Sequence, residues 1–119
     1  RYRSSAASDV YKRQAHRGAA EAVFPAAQAQ GCGLITFSNL CYGRMLQPGV
    51  SAADCYRYSL SFDGVSATLS APSTLDQLQQ TLTVLDDLSL PVERRAHLER
   101  VGATLHHRQR AFASGVRWR

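Results

Sequence analysis

The sequence predicts an α/β fold built from parallel β-α-β units, and three features of its pattern predict it. Two short runs rich in β-formers, LITF at 34–37 and VSATLS at 65–70, stand well apart in the chain. Stretches with helical spacing lie before, between and after them. The resulting order is helix, strand, helix, strand, helix, helix. That alternation sets consecutive strands parallel, because the intervening helix returns the chain to the same end of the sheet.

The first helix is predicted over 19–30, AAEAVFPAAQAQ, where alanine dominates and Val23, Phe24 and Ala27 fall at helical spacing. Pro25 should bend this helix or mark a late first turn, since proline lacks the N–H that a helix interior uses. Gly31 and Gly33 supply stop signals. The run 34–37 has little alternation, which predicts a strand buried on both faces. A loop carrying Gly43, Pro48 and Gly49 follows. Ser51 with Asp54 three residues later approximates a capping box and starts the second helix, with Tyr56, Ser59 and Leu60 on one side. Asp63-Gly64 makes a turn into the second strand, 65–70. Thr74 is placed to cap the third helix, in which Leu75, Leu78, Leu82 and Leu85 form a stripe at i, i+3/i+4 spacing. Pro91 breaks the chain, and an Arg-rich helix runs from Val92 to about Phe112 with Leu98, Val101 and Leu105 inward. Two parallel strands cannot make a free-standing sheet covered on both faces, so the pattern is that of part of a larger sheet.

The length allows one domain, and 45% hydrophobic residues is ordinary for a globular protein. No segment approaches the roughly 20 apolar residues that span a membrane. RYRSSAASDVYKRQ has no apolar core of a secretory signal, so the default compartment is cytoplasmic. The formal charge of +5 raises nucleic acid as a partner. Its distribution argues against one: residues 1–14 carry +3 of it, and the other 105 only +2. Lys12 is the only lysine, and SDVYKRQ resembles translated sequencing-adapter sequence. Residues 1–14 are therefore expected to be a disordered, non-native leader, and 15–119 to be a fragment of a longer protein. Cys32, Cys41 and Cys55 share no C-x-x-C spacing, which speaks against zinc; Cys32 and Cys41 read as small packing residues.

The segments HRGAAEAVFPAAQAQGCGLITFSNLCYGRML and SAADCYRYSLSFDGVSATLSAPSTLDQLQQTLTVL resemble the C-terminal part of the aldo-keto reductases, over about residues 15–112. The resemblance implies a partial (β/α)8 barrel, with 34–38 as its seventh strand and 65–70 as its eighth, each aiming its C-terminal end at the site. It also implies an NAD(P)H-dependent oxidoreductase that reduces a small-molecule carbonyl substrate, with NADP(H) or NAD(H) as cofactor, no metal and no nucleic-acid or membrane partner. On that resemblance Phe37 stacks on the nicotinamide ring, fixing its orientation. Ser38, Leu40 and Gly43 wrap the pyrophosphate. Ser73 stands where many members carry an Arg or Lys for the 2′-phosphate, Gln77 matches a glutamine near the adenine, and Thr81 replaces an asparagine. The Asp, Tyr, Lys and His of the family's catalytic tetrad have no counterpart, since the tyrosines here match no catalytic motif. The chain by itself is expected to be inactive as a reductase. Two further readings stay open: a stand-alone α/β nucleotide-binding module, which would lack G-x-G-x-x-G and the Walker loop, and a basic helical nucleic-acid-binding protein.

Overall fold

A computed structural model describes residues 18–115; the leader expected at 1–14 lies outside the described residues. Helix α1 spans Gly18–Ala29 and runs through Pro25, which stands well past the first turn. It buries Phe24 and Ala27 and leaves Val23 half exposed. Gly31 ends it with φ +65°, a left-handed position that glycine takes without a Cβ penalty. There the Gly31 N–H donates to the Gln28 carbonyl and the Cys32 N–H to the Ala27 carbonyl, each at 2.9 Å. This paired closure satisfies two carbonyls of the last turn.

Strand β1 (Leu34–Thr36) and strand β2 (Val65–Thr68) form a parallel two-stranded sheet. Leu34 is opposite Val65 and Thr36 opposite Thr68, with an irregularity between Leu34 and Ile35. The expectation that 34–37 is buried on both faces is corrected. Leu34 and Thr36 are buried, but Ile35 is 53% exposed. Successive strand side chains point to opposite faces, and the described residues cover only the face toward α1 and α2.

Helix α2 (Ala52–Leu60) is the crossover between the strands and the central element of the fold. The Ser51 hydroxyl accepts from the Asp54 N–H at 3.0 Å, as its spacing predicts. The reciprocal half of the box is absent, because the Asp54 carboxylate pairs with Arg57 at 3.2 Å and Arg94 at 3.3 Å instead. Ala53, Cys55, Tyr56, Tyr58 and Ser59 are all buried, so the helix is enclosed on most of its circumference. Helix α3 spans Leu75–Asp86, with Thr74 accepting from the Gln77 N–H at 3.2 Å. Helix α4 spans Val92–Gly115. Its Leu98 is fully buried, and Val101 and Leu105 pack beside it, as the sequence spacing predicts.

The core has three parts. Cys41, Met45, Cys55, Tyr58 and Leu98 join the first loop, α2 and α4. Phe24, Ala27 and Leu34 join α1 to the sheet. Ala53, Tyr56 and Val84 join α2 to α3. Phe62 links the first two parts through edge-to-face contacts, 5.7 Å from Phe24 and 5.2 Å from Tyr58 between ring centroids. Among the described residues no helix is long and apolar enough to cross a membrane.

The leucine stripe of α3 does not face the core. Leu75, Leu78, Leu82 and Leu85 are 39–75% exposed, whereas Val84 is 3% exposed. The helix turns its Gln77, Gln80 and Val84 side toward α2 and leaves the leucines outside.

Candidate functional site

Both strands end at the same edge of the sheet, and the loops leaving them diverge around a cavity of about 500 Å³. One wall is the loop after β1, through Leu40, Gly43, Leu46 and Val50. The start of α2 closes the floor with Ser51, Ala52 and Tyr56. The opposite wall is the loop after β2, through Ser70, Ala71 and Pro72, continued by Gln77, Gln80 and Thr81 of α3. A crevice outside the carboxyl ends of parallel strands is the usual ligand position in α/β folds, and this volume lies within the range of small-molecule sites.

The first wall is held in an unusual backbone state. Ser38, Cys41 and Tyr42 have φ of +59°, +50° and +56°, and Gly43 has +82°. Left-handed non-glycine residues cost on the order of 1–3 kcal/mol each and persist where the surroundings over-determine them. Two anchors do so here. The Cys41 N–H donates to the Ser38 carbonyl at 2.9 Å, and Cys41 is buried in the core. Asn39, fully buried, donates to the Thr68 hydroxyl and accepts from the Ser59 hydroxyl at 2.8 Å. One side chain thus ties the first loop to β2 and α2.

On the second wall the Ser73 N–H donates to Gln77 Oε1 at 2.7 Å. Together with the Thr74 cap this folds the loop onto the helix start. With Oε1 engaged, the Gln77 amide keeps its N–H donors. The Thr81 hydroxyl donates to the Gln77 carbonyl at 2.8 Å, so toward a ligand its oxygen acts as an acceptor. The Ser70 hydroxyl donates to Tyr56 Oη at 2.9 Å across the floor. No charged side chain lines this cavity among the described residues.

Of the residues singled out in the sequence, the structure brings Leu40, Gly43, Gln77 and Thr81 to the cavity wall. Phe37 lies just past the end of β1 and is half-buried, Ser38 follows it, and Ser73 is exposed beyond Pro72; none of the three is in the lining. Sequence reasoning missed Tyr56, Ser70, Leu46 and Val50. The signal for Ser70 was present, since it directly follows a strand; Tyr56 gave none, because an aromatic one turn into a helix reads as core. A shallower cleft nearby is lined by Gly49, Val50, Ser51, Asp54 and Arg94, and the Asp54–Arg94 pair crosses it. Among the described residues no group of three or more His, Cys, Asp or Glu side chains is arranged to hold a metal ion.

Comparison with models of known families, with curated proteins and with solved structures finds no match to this chain.

Proposed function

We propose that this cavity holds the dinucleotide of NADH or NADPH, and that the chain carries the cofactor-binding end of a carbonyl reductase of the aldo-keto reductase type. In this reading β1 and β2 are the seventh and eighth strands of a (β/α)8 barrel. The observation that carries the reading is the cavity between the two loops that leave parallel strands at one sheet edge, with Leu40, Gly43, Gln77 and Thr81 in its walls.

The residues present suit such a ligand. Leu40, Leu46, Val50 and Pro72 provide apolar walls for flat rings. The Gln77 amide supplies donors for ring nitrogens, and Gly43 lets the backbone approach a diphosphate closely. The N-terminal end of α2, at Ser51 and Ala52, puts positive helix-end potential on the floor. The bound cofactor supplies the hydride. The chain's own part is to bind and orient it, with the left-handed 38–43 loop as a rigid wall. Carbonyl reduction also needs an acid at the carbonyl oxygen, and no tyrosine here matches that motif, so the chain alone binds without turnover.

Titration of the purified chain with NADH, followed by cofactor fluorescence, tests this. Saturable binding is expected, together with a thermal midpoint that rises with the logarithm of ligand excess. Ala71→Phe should abolish both effects while leaving the unliganded midpoint unchanged, because Ala71 is exposed and its enlarged side chain fills the cavity mouth. Binding that survives Ala71→Phe would place the nucleotide elsewhere.

A further inference from the structure

We infer that Tyr56 is the recognition point on the cavity floor: its phenolic O–H donates to an acceptor atom carried on a ring of the bound ligand, a ring nitrogen or a ring-borne carbonyl oxygen. The inference rests on the dinucleotide reading above and names a polar contact made by a flat portion of that ligand.

Tyr56 lies in the lining of the cavity, yet only 5% of it is exposed. Its ring packs with Ala53 and Val84, where α2 meets α3, and Leu40 and Ala52 pack against that cluster. Helix packing therefore fixes where the phenol end stands before any ligand arrives. A hydroxyl has one proton to donate and lone pairs with which to accept. Tyr56 and Ser70 hold two such protons, and the hydrogen bond between them, at 2.9 Å, uses one. Ser70 donates in that bond, so the phenolic proton is left over. Tyr56 makes no other hydrogen bond among the described residues. A nearly buried donor without an acceptor is costly, and the open side here is the cavity.

The surroundings set which acceptor fits. Leu40, Val50 and Ala52 line the cavity, and no charged side chain does so among the described residues. A phosphate oxygen set against that wall would lose water with no cation to replace it. A ring nitrogen or carbonyl loses less, and its ring covers the apolar wall. The Ser51 hydroxyl, also in the lining, accepts from the Asp54 N–H and likewise keeps its proton. The floor thus presents donors, and an acceptor-bearing edge is what it matches.

Fluorescence titrations of the full chain with NADH test this, run on the parent, Tyr56→Phe and Ser70→Ala. Phenylalanine keeps the ring packing and removes the proton. Alanine at position 70 breaks the same hydroxyl–hydroxyl bond but leaves the phenol and its proton. Tyr56→Phe is expected to weaken NADH binding about three- to tenfold, with Ser70→Ala within about twofold of the parent chain. Both variants lose the bond between the two hydroxyls, so a purely structural pair would move them alike, and unliganded thermal midpoints read that structural loss separately. Equal weakening in the two variants, weakening in Ser70→Ala alone, or unchanged binding by Tyr56→Phe overturns the role of Tyr56 and leaves the dinucleotide reading standing. Failure of NADH to bind the parent chain removes the dinucleotide reading and this inference with it.

Discussion

Tyr42 shows how a single residue can report on the loop that carries it. It is 89% exposed and sits at φ +56° between Cys41 and Gly43. Its side chain therefore adds little packing while its backbone bears the left-handed penalty, about 1–2 kcal/mol for a residue with a Cβ. Tyr42→Gly should relieve that penalty and give back part of it as unfolded-chain entropy, for a net gain of about 0.5–1 kcal/mol in urea unfolding. Tyr42→Val should lose stability, because a branched Cβ fits this region worst. The buried thiols give a second test. Burial pushes Cys55 up to about 12 from its ordinary 9.0, and the neighbouring Asp54 carboxylate adds to the rise. Cys41 is raised too, by burial, with Arg44 opposing. Above the ordinary thiol value the unfolded chain releases a proton that the folded chain keeps, so stability falls as pH rises from 9.0 toward 12. Each pH unit in that window costs at most about 1.4 kcal/mol for one thiol. Unfolding midpoints at a series of alkaline pH values should decline less steeply for Cys55→Ala than for the parent chain.

At the scale of elements, Arg57 is the fastening between α2 and the end of α3. Its Nε donates to the Asp87 carbonyl at 2.8 Å and one Nη to the Thr83 carbonyl at 3.3 Å, while the other Nη pairs with Asp54. It thus satisfies carbonyls that the last turn of a helix leaves open. The Asp87 side chain, below the usual carboxylate range because Ser89 donates to it from backbone and hydroxyl, shapes the exit from the same turn. Asp54 is nearly buried, so removing one of its two guanidinium partners leaves a charge partly uncompensated. Arg57→Met should destabilise by about 2–4 kcal/mol, whereas Arg94→Met, at an exposed partner, should cost about 1 kcal/mol or less. If equilibrium unfolding gives equal losses for the two, α2 and α3 are held by their apolar contact at Val84, Ala53 and Tyr56 rather than by this hub.

Across the whole molecule, apolar surface is distributed unevenly. Ile35 and Leu69 are more than half exposed at the sheet, and the four leucines of α3 line its outer side together with Leu88 beyond it. Contiguous exposed apolar surface promotes association. Leu75→Glu with Leu85→Glu should therefore raise solubility and shift sedimentation toward the monomer, with a thermal midpoint within a few degrees of the parent chain. A large fall in midpoint would mean that the stripe contributes to the fold of the isolated chain.

The sequence by itself determined the elements whose causes are local. The Ser51 and Thr74 caps, the Gly31 stop, the strand after it and the Leu98–Val101–Leu105 side of α4 all follow from side-chain chemistry within a few residues, and so does the helix–strand alternation that makes the sheet parallel. Of the seven residues that the resemblance singled out, Leu40, Gly43, Gln77 and Thr81 lie in the cavity wall and Phe37, Ser38 and Ser73 do not. Tertiary structure alone decided which faces are inside. A hydrophobic stripe states that a helix can bury one side, not which neighbour will meet it. On α3 the contact with α2 through Val84 prevailed over four leucines, and at β1 the absence of a described layer beyond Ile35 left a β-branched side chain in water. The buried Asn39–Ser59–Thr68 connection joins positions distant in sequence, and its partners are chosen only when the loop, α2 and β2 meet.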